Sequence, residues 1–281
     1  MRCWMNQGTT MRFHDIEKDI EYCGKYGFEA IEFKYSLIQN QNLSWIRELL
    51  EKHGIRAGSV GALQLPILKT KKEKDLMETK LNDLCQCANL LRAKYVVAIP
   101  PRGADDKNHS LIGEEAGKIL RRYTDIAARY QVKIAFEVMG FADSYINTIS
   151  EAFRVINQVK SDNLGLVYDF YHVLGMDASE QYVLVQEAKK AKKVYIVHVN
   201  DGIKCNVGNY PDDNRLWLGD GDVDLKNQMT ILQNINYTGP FSIEVYQPEM
   251  WSFNIQECYR MAQKSIKKMQ YIENMIYENR V

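Results

Sequence analysis

The chain has no excess of charge. Its 36 Lys and Arg residues balance 36 Asp and Glu over 281 residues, so no whole-molecule field favours nucleic acid or an acidic membrane surface. A neutral or weakly charged small molecule is the partner this implies. Long apolar runs are missing as well. The opening MRCWMNQGTTMRFHD has no apolar core of signal-peptide length, and no later run approaches the ~20 residues of a membrane span. The six cysteines (Cys3, Cys23, Cys85, Cys87, Cys205 and Cys258) are scattered. Cys85 and Cys87 are the only close pair, and on the helix expected there they point to different faces. Neither a disulfide framework nor a zinc knuckle results, which suits a reducing compartment. These absences predict a soluble cytoplasmic protein that engages neither nucleic acid nor membrane. They leave its oligomeric state open, and a homo-oligomer is compatible with them.

What the chain does have is a repeat. Eight short apolar, β-branched-rich runs recur along it: RCWMN (2–6), AIEFK (30–34), IRAGSVGA (55–62), YVVAIP (95–100), KIAFEV (133–138), LGLVYD (164–169), VYIVHV (194–199) and FSIEV (241–245). Between them the apolar period changes from two to about 3.6, the mark of βα units. Ile16, Ile20 and Cys23 share one helical face; so do Leu81, Leu84, Ala88 and Leu91, and so do Ile255, Cys258, Ala262, Ile266 and Met269. Thr148-Ile-Ser-Glu151 reads as a capping box opening the fifth helix. Strands buried on both faces that alternate with amphipathic helices require a parallel sheet. The GxGxxG of a dinucleotide fold is absent after the first strand, and Gly219-Asp-Gly221 has neither its spacing nor its position. Eight units without a linker or a composition break therefore predict an α/β fold, a (β/α)8 TIM barrel in a single domain spanning 1–281.

In such a barrel the chemistry lies at the C-terminal strand ends, and side chains alternate between the interior and the helix layer. Strands five to eight end in Ala135-Phe-Glu137, Val167-Tyr-Asp169, Ile196-Val-His198 and Ser242-Ile-Glu244. Parity places Ala135, Val167, Ile196 and Ser242 deeper on the ligand face, with Phe136, Tyr168, Val197 and Ile243 turned toward the helices. One carboxylate at a strand end is more often a helix N-cap or the partner of an arginine. Three carboxylates and an imidazole at one level would repel unless a cation sat among them. Glu137, Asp169, His198 and Glu244 are thus expected to bind one divalent metal ion, with Mn²⁺ the first choice and Mg²⁺, Co²⁺ or Zn²⁺ compatible. On this reading the charge of Asp169 is offset by the ion and not by a basic side chain.

With FEV, DFYH, HVND and IEV in place, the chain resembles the xylose-isomerase-like superfamily of sugar isomerases and epimerases over essentially its full length. Within it the resemblance is greatest to the inosose (2-keto-myo-inositol) isomerases of inositol catabolism. It is carried by MNQGTT, IEFK, KYVVAIP, VNDG, DDNRLWLGDGDVDL (212–225) and IEVYQPE (243–249). The loop that usually reads Pro-Gly-x-Gly is Leu218-Gly-Asp-Gly221 here, and its glycines are expected to keep the turn. The resemblance implies metal ligation by the same four residues, and contacts from His172 and Arg215 to oxygens of a polyhydroxy ketone. Moving a carbonyl to the neighbouring carbon needs a proton removed, a proton delivered and an enediolate stabilised between. Glu137 and Glu244 are the candidates for catalytic base and acid in this scheme, in either order.

Glu32 and Lys34 end strand two with inward parity, and are expected either to pair with each other or to touch substrate. Trp4 and Asn6 face the pocket or the core, whereas His14, His53 and His109 read as surface residues. The same quartet would serve a ketose 3-epimerase or a hydroxypyruvate isomerase. Apurinic endonucleases share the barrel but need additional zinc-binding histidines, and of the five here only His172 and His198 lie in the right region.

Overall fold

Strands form where the eight runs were read: β1 (Arg2–Asn6), β2 (Ala30–Lys34), β3 (Arg56–Gln64), β4 (Tyr95–Ile99), β5 (Lys133–Glu137), β6 (Leu164–Asp169), β7 (Val194–Val199) and β8 (Pro240–Ile243). The computed structural model describes residues 1–103, 108–204, 211–247 and 252–278; Cys205 and Glu249 lie outside them. Each strand pairs in parallel with the next, and β8 pairs with β1, so the sheet closes into a barrel in chain order. The differences from the sequence reading lie at the ends. β3 runs on to Gln64, and β8 stops at Ile243, which leaves Glu244 one residue beyond it.

The intervening helices are α1 (Ile16–Lys25), α2 (Tyr35–Ile38), α3 (Leu43–His53), α4 (Lys71–Leu90), α5 (His109–Arg129), α6 (Ile149–Val159), α7 (Phe170–Val173), α8 (Ala178–Ala191), α9 (Leu225–Asn234) and α10 (Ile255–Glu278). The apolar stripe of α1 is buried as its spacing predicts. Thr148 caps α6 by accepting the Glu151 N–H, while Glu151 Oε2 accepts from the N–H of Asn147. Cys85 and Cys87 are both buried, although their spacing turns them to different faces. The reason is that α4 packs against β3 and β4 on one side and α5 on another. None of the described helices is long and apolar enough to cross a membrane.

Alternation along the strands divides the core in two. Trp4, Ala30, Tyr95, Val97, Ala135, Val167 and Ile196 pack inside the barrel, so Trp4 is core. Phe136, Tyr168, Val197 and Ile243 join the larger apolar layer between strands and helices. The strand faces therefore point as the period of two requires, and the residue two places above each inward Ala135, Val167 and Ile196 opens into the mouth of the barrel.

Candidate metal centre

Glu137 and Asp169 are the last residues of β5 and β6, His198 is the penultimate residue of β7, and Glu244 follows β8. Register sets His198 beside Asp169 on one side and Ser242 on the other. All four ligand candidates are buried, and each offers one ligand atom to a group whose members lie within 4.8 Å of one another. His198 Nδ1 stands 2.8 Å from Glu137 Oε1, 2.9 Å from Glu244 Oε2 and 3.6 Å from Asp169 Oδ2. The other face of the ring is turned to a further carboxylate, with Nε2 at 3.2 Å from Glu32 Oε1.

Asp169 corrects one expectation. It does pair with a basic side chain: Arg215 Nη1 donates to its Oδ2 at 2.6 Å. It is also a cap, because Oδ1 accepts the N–H groups of Tyr171 and His172 and opens α7. Asn200 Nδ2 reaches both of its oxygens at 3.2 and 3.1 Å. Burial works against ionisation, but Arg215, His172 and His198 together hold the Asp169 carboxyl well below the usual carboxylate range.

Arg215 is positioned by its loop, which returns to the barrel through Arg215 N–H to Tyr246 O and a two-residue bridge between Asp201 and Leu216. From there Nη1 also reaches Glu244 Oε2 at 3.3 Å, and Nη2 meets Asp212 Oδ1 at 3.0 Å and His172 Nε2 at 3.1 Å. A guanidinium only donates, so His172 Nε2 accepts. Burial, aided by Arg215, keeps this histidine below its ordinary range. The turn at 218–221 is retained without its proline. Gly219 has φ +90, a Cβ on Gly221 would come within 2.4 Å of Gly202 O, and Asp201 gathers the N–H groups of Gly202, Gly219 and Val223.

Glu32 and Lys34 do not pair with each other. Lys34 Nζ lies 3.3 Å from Glu244 Oε1, which also accepts from Tyr246 OH at 2.8 Å. Asn6 lies at the same mouth, where Glu32, Lys34, Glu137, His198 and Glu244 surround a cavity of about 20 Å³, room for one water molecule or ion. His14 is exposed and His53 half-buried, away from the site; the side chain of His109 is outside the described residues.

The donor set fits a divalent cation. Glu32, Glu137, Asp169 and Glu244 are four buried carboxylates, and among the described residues Lys34 and Arg215 are the lysine and arginine that pair with them. Burial works against charging His198, but the carboxylates around it favour its charged form; an imidazole that ligates a metal must be neutral, and in that state two negative charges remain for a dication to offset. Tyr246 and Asn200 were missed in the sequence, and each stands two residues after a ligand candidate. Carrying the strand period past Glu244 and His198 would have found both.

The family model for the xylose isomerase-like TIM barrel matches residues 20–269. The chain is 29% identical to the inosose isomerase of Bacillus licheniformis, over 94% of this chain and 96% of that one. It is 20% identical to the ketose 3-epimerase of Arthrobacter globiformis, over 84% of this chain and 81% of that one. Among solved structures, the crystal structure of IOLI protein with a binding zinc atom superposes with a TM-score of 0.90 at 28% identity, covering 96% of this chain and 98% of that one. The chain belongs to the xylose isomerase-like TIM barrel family.

Proposed function

We propose that the protein is a divalent-metal-dependent isomerase of a polyhydroxy ketone, and that its substrate is an inosose. The observation that carries this reading is the buried quartet of Glu137, Asp169, His198 and Glu244, whose ligand atoms converge within 4.8 Å of one another at the mouth of the barrel. These four residues would hold the ion. A divalent cation bound there supplies Lewis acidity toward substrate oxygens.

The remaining chemistry belongs to the chain. Glu137 and Glu244 move the protons between adjacent carbons. Their surroundings differ: among the described residues the Glu137 side chain pairs with His198, whereas Glu244 already receives Lys34, Tyr246 and Arg215. Glu137 is therefore the less engaged of the two. Lys34, Arg215 and His172 stand beside the ligands with N–H groups and an imidazole that orient the hydroxyls of a bound ketone.

An inosose is preferred over a ketohexose because the inosose isomerase relative matches more of the chain at higher identity than the ketose 3-epimerase does. A coupled assay of purified protein on inosose, psicose, tagatose and hydroxypyruvate tests the choice. Turnover of a ketohexose with inosose inert would transfer the assignment to epimerisation. Chelation should abolish activity and Mn²⁺ restore it; elemental analysis then identifies the native ion, with Zn²⁺ among the candidates.

A further inference from the structure

Glu32 is a buried carboxylate that the proposed chemistry leaves without a task. Strand alternation turns it into the barrel, where it is 2% exposed. Its Oε2 accepts from Ser59 Oγ at 2.5 Å, which fixes the carboxylate from the side of β3. Its Oε1 faces His198 Nε2 at 3.2 Å as an ion-pair contact, and both of these buried atoms are otherwise without a hydrogen-bond partner. The nearby cations are committed elsewhere, Lys34 to Glu244 and Arg215 to Asp169 and Glu244. His198 is therefore the group that a charge at Glu32 can act upon.

An imidazole presents a lone pair at one nitrogen only when the other carries the proton. On His198 the nitrogen that must carry the lone pair is Nδ1, because it faces Glu137, Asp169 and Glu244. We propose that Glu32 is a positioning residue for the metal centre: it accepts the Nε2 proton of His198, fixes the ring, and leaves the Nδ1 lone pair aimed among the three carboxylates. This rests on the metal-site reading above. Carboxylates that hold the far N–H of a ligating histidine raise its basicity and set its tautomer.

The test compares two replacements of similar size. Glu32→Gln keeps a carbonyl oxygen that can accept from Nε2, and Glu32→Met keeps the bulk without an acceptor. Zn²⁺ affinity is measured by calorimetry on the full chain, alongside thermal unfolding and ¹⁵N spectra of labelled histidine in the zinc-loaded protein. Glu32→Met should weaken Zn²⁺ binding about 10–100-fold, and Glu32→Gln should recover part of the loss. The wild-type spectrum should show His198 protonated at Nε2 with the shift of a hydrogen-bonded N–H, and in Glu32→Met that Nε2 resonance should move as its acceptor is lost. Should Glu32→Met fail to fold, Ser59→Ala, which frees only the Oε2 side, should still weaken binding several-fold. Wild-type affinity and an unchanged His198 spectrum in folded Glu32→Met, or wild-type affinity in the Ser59→Ala fallback, would overturn the role of Glu32 alone. If the wild-type protein binds no Zn²⁺ or Mn²⁺, the metal-site reading falls, and this inference with it.

Discussion

Asp19 in α1 and Asp169 at the end of β6 are buried almost equally, at 1% and 0% exposure, and their acidities go opposite ways. Burial pushes the Asp19 carboxyl up to about 6, because the groups that hold it are neutral: Gln7 Nε2 at 3.1 Å and Tyr259 OH at 3.2 Å recover only part of the lost hydration. Asp169 suffers the same burial and ends well below the usual range, since a guanidinium stands 2.6 Å away. A protein interior tolerates an acid either by favouring its protonation or by pairing it. Pairing keeps the donor anionic far into the acid range, whereas a buried acid held only by neutral groups takes up its proton near pH 6. The mouth of the barrel is built in that second way, and this is what makes it able to take up a cation.

The largest expected effect comes from removing the charge where the proposed proton transfers take place. Glu137→Gln or Glu244→Gln should abolish turnover, a loss of roughly 10²–10⁴-fold for a proton-transfer group; activity that survives both single changes would sink the assignment. Arg215→Met should put Asp169 in the position of Asp19, a buried acid without a cation. Breaking a buried pair from one side costs about 3–5 kcal/mol, measurable by urea unfolding in chelator. A loss under about 1 kcal/mol would mean that solvent reaches the pair.

Asp19 supplies a pH test of the other member of the comparison. Its folded pKa of about 6 lies above the ordinary 3.8, so the folded state holds the proton more tightly than the unfolded chain does. The resulting stabilisation is complete below the lower value and is lost as pH rises through the upper one. A shift of this size corresponds to roughly 3 kcal/mol. Asp19→Asn should therefore flatten the stability profile between these two values, and a profile parallel to wild type would refute the account. The smallest effect belongs to the apolar layer beneath the ligands, where Ile196→Val should cost about 0.5–1.5 kcal/mol and leave kcat unchanged.

The ligand candidates were legible because they obey a local rule. Glu137, Asp169, His198 and Glu244 each stand at or one residue from the end of an apolar run, and a period of two fixes which side of the sheet they take. Their partners obey no such rule. Arg215 is 46 residues from Asp169, and Lys34 is 210 residues from Glu244. Inward parity at the end of one strand offered Glu32 and Lys34 either to each other or to substrate. The barrel separates them, since β2 brings Glu32 toward His198 and carries Lys34 on to the level of Glu244.

The sequence by itself determined the eight-unit repeat, the inward faces and the four donor residues at consecutive strand ends, because strand and helix periodicities are properties of neighbouring residues. Only the tertiary structure decided how the charges are shared. Asp169 is a ligand candidate, a helix cap and the partner of Arg215 at once, and Glu32 belongs with His198. These pairings depend on how a closed barrel staggers its strands and where a loop such as 212–225 folds back. Neither is encoded in the spacing of residues along the chain; both follow from closing the sheet on itself.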